Sequence, residues 1–472
     1  MARNNPFQSR FQTLAELPTH HAESVNRRAY RELHDLLSVP LEYPGRCVLL
    51  RAPRAGYGKT HLLAKLRHSL GASHEFVALR PTGGGLVDAG TITEDVMRRL
   101  LRTLPAAGGM TVLDLVVRRL LAMSMQPLVL AGEVPCQDRD AALAALRIRP
   151  VETFDFHHPN AVTAHWTREN FAVLGPRLCL ELAQHTGLPV GDVAFWLDAF
   201  FRFASSPLDY PSRGHALLHN VRLAMAGGGF NLLVALLLML TRLTRVVLIA
   251  DDLDGFSADQ PAALRFACLV GSLRQAVGRL DVVFSVNQDV WNGSFVPAMS
   301  SSLEDRLSEV VIDLPPLDLE ETMDLLESRA PGCAEEILRE FGDGFLPDHA
   351  RGLLQVMSMV WMRIEDSLTT MAAAPAVAPS TPSVVGVVHG TQPEGKPEQS
   401  GPVPWEPAVE DPIGEDEEFV LPPKEDFSGV PADPESAEEF APAASPSSVA
   451  SDLDTVDVLL RRFRERYGKG GA

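Results

Sequence analysis

The sequence predicts an α/β fold: a three-layer sandwich on a mostly parallel sheet, carrying a helical insert and a small C-terminal helical lid, then a disordered tail. Three observations point there. Short apolar runs of strand length alternate with longer helical patterns between residues 45 and 314. A glycine-rich turn joins one of those strands directly to a helix. From Met371 the composition changes to Ala, Pro, Ser, Gly and acidic residues.

Residues 1–24 read as an N-terminal extension, and 25–80 as the first part of the sheet core. Gly45-Arg-Cys-Val-Leu-Leu-Arg-Ala has the length and apolar content of a buried strand, and His61 to Leu70 continues as a helix. Phe76-Val-Ala-Leu, Val246-Val-Leu-Ile-Ala, Val282-Val-Phe-Ser-Val and Val310-Val-Ile-Asp-Leu are the further strands, so 226–317 completes the core. Residues 81–225 form the insert, with amphipathic helices expected at Thr111–Met125, Thr163–Thr186 and Pro189–Ala204. Its aromatics Trp166, Phe171, Trp196, Phe200, Phe201 and Phe203 read as the core of a helical subdomain rather than an exposed partner surface. The uncharged run from Leu223 to Thr241 is broken near its start by Gly227-Gly-Gly, which leaves about a dozen apolar helical residues. That length suits a buried core helix better than a membrane span.

Residues 318–370 read as helices alone, at Leu319–Arg329, Ala334–Phe341 and His349–Ile364, and make the lid. The stretch 371–450, rich in Pro and poor in aromatics, cannot offset the entropy of ordering and is expected to be a linker. At 451–472 helical periodicity returns, with Leu453, Val456, Leu460, Phe463 and Tyr467 on one face behind a capping pattern at Ser451 and Asp454. This predicts an amphipathic docking helix.

The chain has 472 residues, 46% of them hydrophobic, enough for a large core. Its net charge is −19, and the linker holds most of it, with Lys396 and Lys424 against fifteen Asp and Glu. The rest is only mildly acidic, without the basic stripe that marks a nucleic-acid surface. The N-terminus lacks a secretory pattern, and the cytoplasm is the expected compartment. Five scattered cysteines without a Cys-x-x-Cys pair predict reduced core thiols, with neither a zinc site nor a disulfide framework.

The strongest chemical signal is Pro53-Arg54-Ala55-Gly56-Tyr57-Gly58-Lys59-Thr60, where a strand ends and a helix begins. It reads as a phosphate-binding P-loop. Backbone N–H groups of residues 54–61 (Arg54, Ala55, Gly56, Tyr57, Gly58, Lys59, Thr60, His61) would cradle the phosphates of ATP, Lys59 would face the terminal phosphates, and the Thr60 hydroxyl would bind Mg²⁺. Pro53 stands where the usual pattern has its first Gly. The second signal is Val246-Val-Leu-Ile-Ala-Asp251-Asp252-Leu-Asp254, an apolar strand ending in carboxylates. Asp251 is the expected Mg²⁺ residue and Asp252 the expected water-orienting residue.

With both motifs in place, the chain resembles the additional-strand P-loop ATPases, which include the AAA+ proteins and the STAND and KAP groups. Asp251-Asp-Leu-Asp resembles the KAP signature, and Val282-Val-Phe-Ser-Val-Asn287 resembles an AAA+ sensor 1 strand. Ser301-Ser-Leu-Glu-Asp-Arg306 and Ile312-Asp-Leu-Pro-Pro-Leu-Asp-Leu-Glu-Glu resemble the arginine-bearing turn and lid entrance of AAA+ and initiator proteins. The resemblance, over 25–80 and 240–366, implies ATP and Mg²⁺ as cofactors and slow ATP hydrolysis as the activity. It further implies Asn287 at the γ-phosphate or attacking water, Arg306 as a finger acting on a neighbouring subunit of a homo-oligomer, and Arg351 as a sensor 2 residue. A protein partner is expected through the insert or the C-terminal helix. The competing readings are a nucleotide-binding scaffold with little turnover, favoured by Pro53 and Asp252, a DNA-associated loader, and a membrane-anchored KAP protein.

Overall fold

Five runs of consecutive apolar residues become five strands: β1 (Cys47–Ala52), β2 (His74–Leu79), β3 (Arg245–Ala250), β4 (Asp281–Asn287) and β5 (Val310–Asp313). Such runs suit strands covered on both faces. In the computed structural model, which describes residues 5–8, 13–14, 20–79, 87–104, 108–208, 210 and 212–373, they form one sheet in the order β2-β3-β4-β1-β5. All pairings are parallel.

Alternation along each strand divides the core. Val48 and Leu50 face α1 (Arg27–Leu37) and α2 (Lys59–Leu70), packing with Leu33, Leu62 and Leu66. Cys47 and Leu49 point to the opposite face, into a core continuous with the insert. Helices therefore cover both faces of the sheet. At its amino edge Asp281 is fully buried, and its carboxylate accepts from Arg245 Nη2 at 2.6 Å and from the Arg46 N–H at 2.8 Å. This ties the starts of β1, β3 and β4 together. Removing either charge would leave its partner buried and unpaired, at a cost of about 3–5 kcal/mol.

The insert supplies α3 (Ala89–Leu100), α4 (Val112–Leu130), α5 (Arg139–Ile148), α6 (Pro150–Thr153), α7 (Val162–Thr186), α8 (Val190–Ser205) and α9 (Arg213–Met225). Capping boxes start two of them: Asp88 with Thr91 opens α3, and Thr111 with Asp114 opens α4. Trp196, Phe200, Phe201 and Phe203 are buried, with Trp166 and Phe171 packed against them, so the aromatics are core as expected. That core runs without a break into the sheet. The run 223–241 splits at Gly228 and Gly229, both at positive φ, into the end of α9 and α10 (Phe230–Leu240). Leu233, Leu236, Leu237 and Leu240 of α10 are buried, each contributing roughly 1.5–3 kcal/mol. Among the described residues no helix is long and apolar enough to cross a membrane.

Beyond β3 come α11 (Gln260–Ala276), α12 (Gln288–Val290) and α13 (Ser301–Leu307). The lid follows as α14 (Leu319–Arg329), α15 (Ala334–Phe341) and α16 (Ala350–Ala373). Residues Leu319–Arg329 and Ala334–Phe341 match the expected helices end to end, and α16 runs three residues into the span expected as linker. The rest of that linker and the expected helix at 451–472 lie outside the described residues. The lid also has a core of its own, and Phe7 and Ala22 from the expected N-terminal extension are buried in it. Asn5 Nδ2 reaches the Ser358 carbonyl at 3.0 Å, so that segment is partly built into the lid.

The cysteines depart from expectation. All five are free, but Cys47 and Cys179 alone are buried, while Cys136 and Cys268 are exposed and Cys333 is half-buried. Cys268 lies on the outer face of α11 and Cys136 in the turn before α5, two places where apolar periodicity does not demand a core residue. Burial pushes the Cys47 and Cys179 thiols up to about 12, which keeps them protonated.

Candidate functional site

Register places the site. Ala52 at the end of β1 pairs with Asn287 at the end of β4, and Ala250 at the end of β3 pairs with Phe284. The carboxyl ends of neighbouring parallel strands thus open onto one crevice, where ligands of open α/β sheets bind. Here it is a cavity of about 910 Å³ between the sheet edge, residues 20–31 and the lid.

The turn from β1 to α2 depends on two glycines, Gly56 at φ 101° and Gly58 at φ 90°. A Cβ on Gly56 would also stand 2.6 Å from the His349 ring. Pro53 sits at the loop entry, where the chain takes no left-handed turn, because among the described non-glycine residues only Asn26 and Asp252 have positive φ. Since α2 begins at Lys59, its unsatisfied first-turn N–H groups lie at the mouth of the loop.

Two hydrogen-bonded chains cross the cavity floor. In one, Thr60 Oγ1 donates to Asp251 Oδ2 at 2.8 Å and Ser285 Oγ donates to Asp251 Oδ1 at 2.5 Å. In the other, Lys59 Nζ donates to Asn287 Oδ1 at 2.5 Å and Asn287 Nδ2 donates to Asp254 Oδ1 at 2.7 Å. Burial lowers the Lys59 pKa, opposed by Asp251 and Asp254. Burial likewise raises the Asp254 carboxyl, with Lys59 opposing and Asp252 and Asp289 adding to the rise. Asp252 caps the 3-10 turn Leu253–Phe256 with its backbone at φ 59°, and its exposed side chain lines the cavity.

The lid brings Arg351, and also Arg329, to the cavity wall. Arg329 carries no motif, and its buried Nε has no hydrogen-bond partner among the described residues. Residues 20–31 add a histidine pair. His21 and His61 stack with ring centroids 5.2 Å apart, and His21 Nδ1 lies 3.0 Å from His61 Nε2. Lys65 Nζ donates to His21 Nε2, so the His21 proton sits on Nδ1 and is given to His61. Burial, with His21, Arg329 and Lys65 nearby, pushes the His61 pKa down to about 4.

No protein-family model matches this chain, and no curated protein matches it either.

Of the residues singled out in the sequence, Ala55, Gly56, Gly58, Lys59, Thr60, His61, Asp251, Asp252 and Arg351 line the cavity, and Asn287 reaches Lys59 at its floor. The side chains of Arg54 and Tyr57 turn away from it and bond to Asp348 of the lid, at 2.6 and 2.9 Å. Arg306 is elsewhere on the surface, its guanidinium held by Ser302 and Gln275. Asn26 is a residue sequence reasoning missed. In left-handed backbone, φ 56°, it donates from Nδ2 to the Tyr57 carbonyl at 2.8 Å and from its N–H to Glu321 Oε1 at 3.1 Å. An Asn at such a φ is tolerated by its short polar side chain, but its partners lie 31 and 295 positions away.

Thr60 and Asp251 offer hard oxygen donors, the kind Mg²⁺ takes in ones and twos beside phosphate oxygens and water. Among the described residues no group of three or more His, Cys, Asp or Glu is placed to cage a metal. The donor set therefore fits a Mg²⁺ that arrives with a phosphate ligand better than a resident ion.

Proposed function

We propose that this chain is an ATP-binding molecular switch of the additional-strand P-loop class, the group that includes AAA+, STAND and KAP ATPases, and that it hydrolyses ATP slowly. The observation that carries this reading is the meeting of Gly56, Gly58, Lys59, Thr60 and Asp251 in one cavity, with Asn287 bonded to Lys59, although 192 positions separate Lys59 from Asp251. The strand order supports it as well, since β4 lies between β1 and β3, as an additional strand must.

In this reading the loop N–H groups and Lys59 hold the β- and γ-phosphates, and Thr60 and Asp251 hold Mg²⁺. Bound Mg²⁺ supplies charge neutralisation on the phosphate oxygens. Asp252 and Asn287 face the γ-phosphate side and orient water for in-line attack, while Arg351 stabilises developing charge from the lid. Arg306, exposed and outside the cavity, acts in this scheme on the site of a second copy. Protein partners are met through the insert or the chain beyond the lid. Phosphate release from ATP by purified full-length protein, with and without Mg²⁺, tests the activity; no Mg²⁺-dependent release would remove hydrolysis from the proposal.

A second reading keeps nucleotide binding and drops turnover. It is favoured by Asp252, an exposed carboxylate on a short side chain, which holds a water less firmly than a buried Glu. ATP bound without release of phosphate is its signature.

A further inference from the structure

We infer that Asp254 is a positioning residue for Asn287, fixing the amide so that its oxygen faces the phosphate side of the cavity. The inference rests on the ATPase reading above and adds a residue to that site.

The argument begins with the amide itself. An Asn side chain has an accepting end and a donating end that differ little in shape, and rotation about its last bond exchanges them. Here the two neighbours leave one orientation. The Lys59 ammonium can only donate, and it lies 2.5 Å from Asn287 Oδ1. Asp254 Oδ1 accepts from Asn287 Nδ2 at 2.7 Å. Turning the amide over would set NH₂ against ammonium and oxygen against carboxylate.

The two neighbours do not remain equal when a phosphate enters. Lys59 is the first residue of α2 and lines the cavity beside the loop. A multiply charged phosphate draws its ammonium away from a neutral amide oxygen. Asn287 Oδ1 then faces the cavity without its ammonium, able to accept a hydrogen from the attacking water. Only Asp254 continues to hold the amide in that sense. Without it the NH₂ can swing inward and present a donor where the water needs an acceptor.

Local backbone geometry places Asp254 for this purpose. Asp252 turns the chain through left-handed backbone, φ 59°, directly after β3, and the 3-10 turn Leu253–Phe256 carries Asp254 back across the end of β4. The positive φ of Asp252 thus has a structural consequence separate from its own carboxylate.

The test compares Asp254→Ala and Asp254→Asn in the full chain by steady-state ATP hydrolysis and by equilibrium binding of ATP with Mg²⁺. Losing a charge-assisted hydrogen bond that fixes the amide lowers kcat by about 10- to 100-fold in Asp254→Ala, with KM and ATP affinity within about two-fold of wild type. In Asp254→Asn the new amide oxygen can still accept from Asn287 Nδ2, so the loss stays below about five-fold. A kcat for Asp254→Ala within two-fold of wild type overturns the inference. An equal loss in both variants also overturns it, because that pattern follows charge rather than orientation. Selective ¹⁵N-asparagine labelling supplies a readout that needs no turnover. The Asn287 side-chain NH₂ signal, assigned by its disappearance in Asn287→Asp, is protected from exchange in the nucleotide-free wild type and loses that protection in Asp254→Ala. A wild type without ATPase activity defeats the hydrolysis reading, and this signal still decides the placement of the amide: equal protection in wild type and Asp254→Ala overturns it.

Discussion

The Tyr57 phenol of the glycine loop donates to the Asp348 carboxylate of the lid at 2.9 Å, across 291 positions of sequence. Arg54 Nη2 donates to the other carboxylate oxygen at 2.6 Å, the His349 ring stacks on Tyr57 at 5.6 Å, and the Arg351 N–H reaches the Gly56 carbonyl at 3.1 Å. Loop and lid are thereby fastened at three lid residues, Asp348, His349 and Arg351, within one turn of the chain. In the proposed ATPase, this is the route by which a phosphate in the loop would alter the lid.

Asp348→Ala should loosen the lid without unfolding the protein. The Asp348 carboxylate is half-exposed and tops a small cluster, so amide exchange across residues 319–364 should rise several-fold in the nucleotide-free protein. Hydrogen bonds from His349, Arg54 and Tyr57 hold the Asp348 carboxyl well below the usual carboxylate range. A depressed folded pKa contributes stability above the unfolded value near 4 and loses it only on further acidification, so the difference in lid protection between wild type and Asp348→Ala should not vary between pH 5 and 8. Unchanged exchange in the variant, or a wild-type-to-variant difference that changes strongly with pH in that window, would contradict the latch.

The two parts of the site differ in how far they could be read from sequence. Gly58-Lys59-Thr60 and the apolar strand before Asp251 were legible because phosphate loops and strand ends impose local patterns. So was α14, where Asp318 and Glu321 form a capping box at one end and Ala330-Pro331 follows the other. Asn26, His21, Arg329 and Asp348 were not. Each reaches the site through a contact made by tertiary packing, and nothing about the neighbours of Asn26 announces Tyr57 or Glu321. Periodicity marks the insert as helical but hides its continuity with the sheet core, since it tells which face is buried and not against what.

Acid should destabilise the fold through His61. Its imidazole stays neutral in the fold down to about pH 4, whereas its ordinary value is 6.5. Between these values the unfolded chain binds the extra proton, so stability falls as pH drops from about 6.5 to about 4, by roughly 1–3 kcal/mol. Urea unfolding of wild type and His61→Gln at pH 7 and pH 4.5 measures this. The variant should lose less stability between the two pH values, and an identical loss in both proteins would remove His61 as the cause.

Asp252→Asn should keep ATP and Mg²⁺ binding and lower hydrolysis at least 10-fold, because an amide cannot take a proton from water. Wild-type turnover in this variant would assign the water to other residues.

Arg306→Ala should lower hydrolysis only under conditions where copies assemble. Mixed with Lys59→Ala protein, it should regain part of the activity, since each variant contributes the intact half of a shared site. Co-assembly of the two without regained activity would rule out a finger in trans.

Calorimetric titration of Mg²⁺–ATP into wild type and Lys59→Ala tests the phosphate-loop reading most directly. Lys59 lines the cavity and its ammonium bonds to Asn287 there, so alanine removes the charge that would face the phosphates. The account predicts saturable binding to wild type and at least 100-fold weaker binding to the variant, about 2.7 kcal/mol or more. Equal affinity in both proteins, or no binding to wild type, would contradict it.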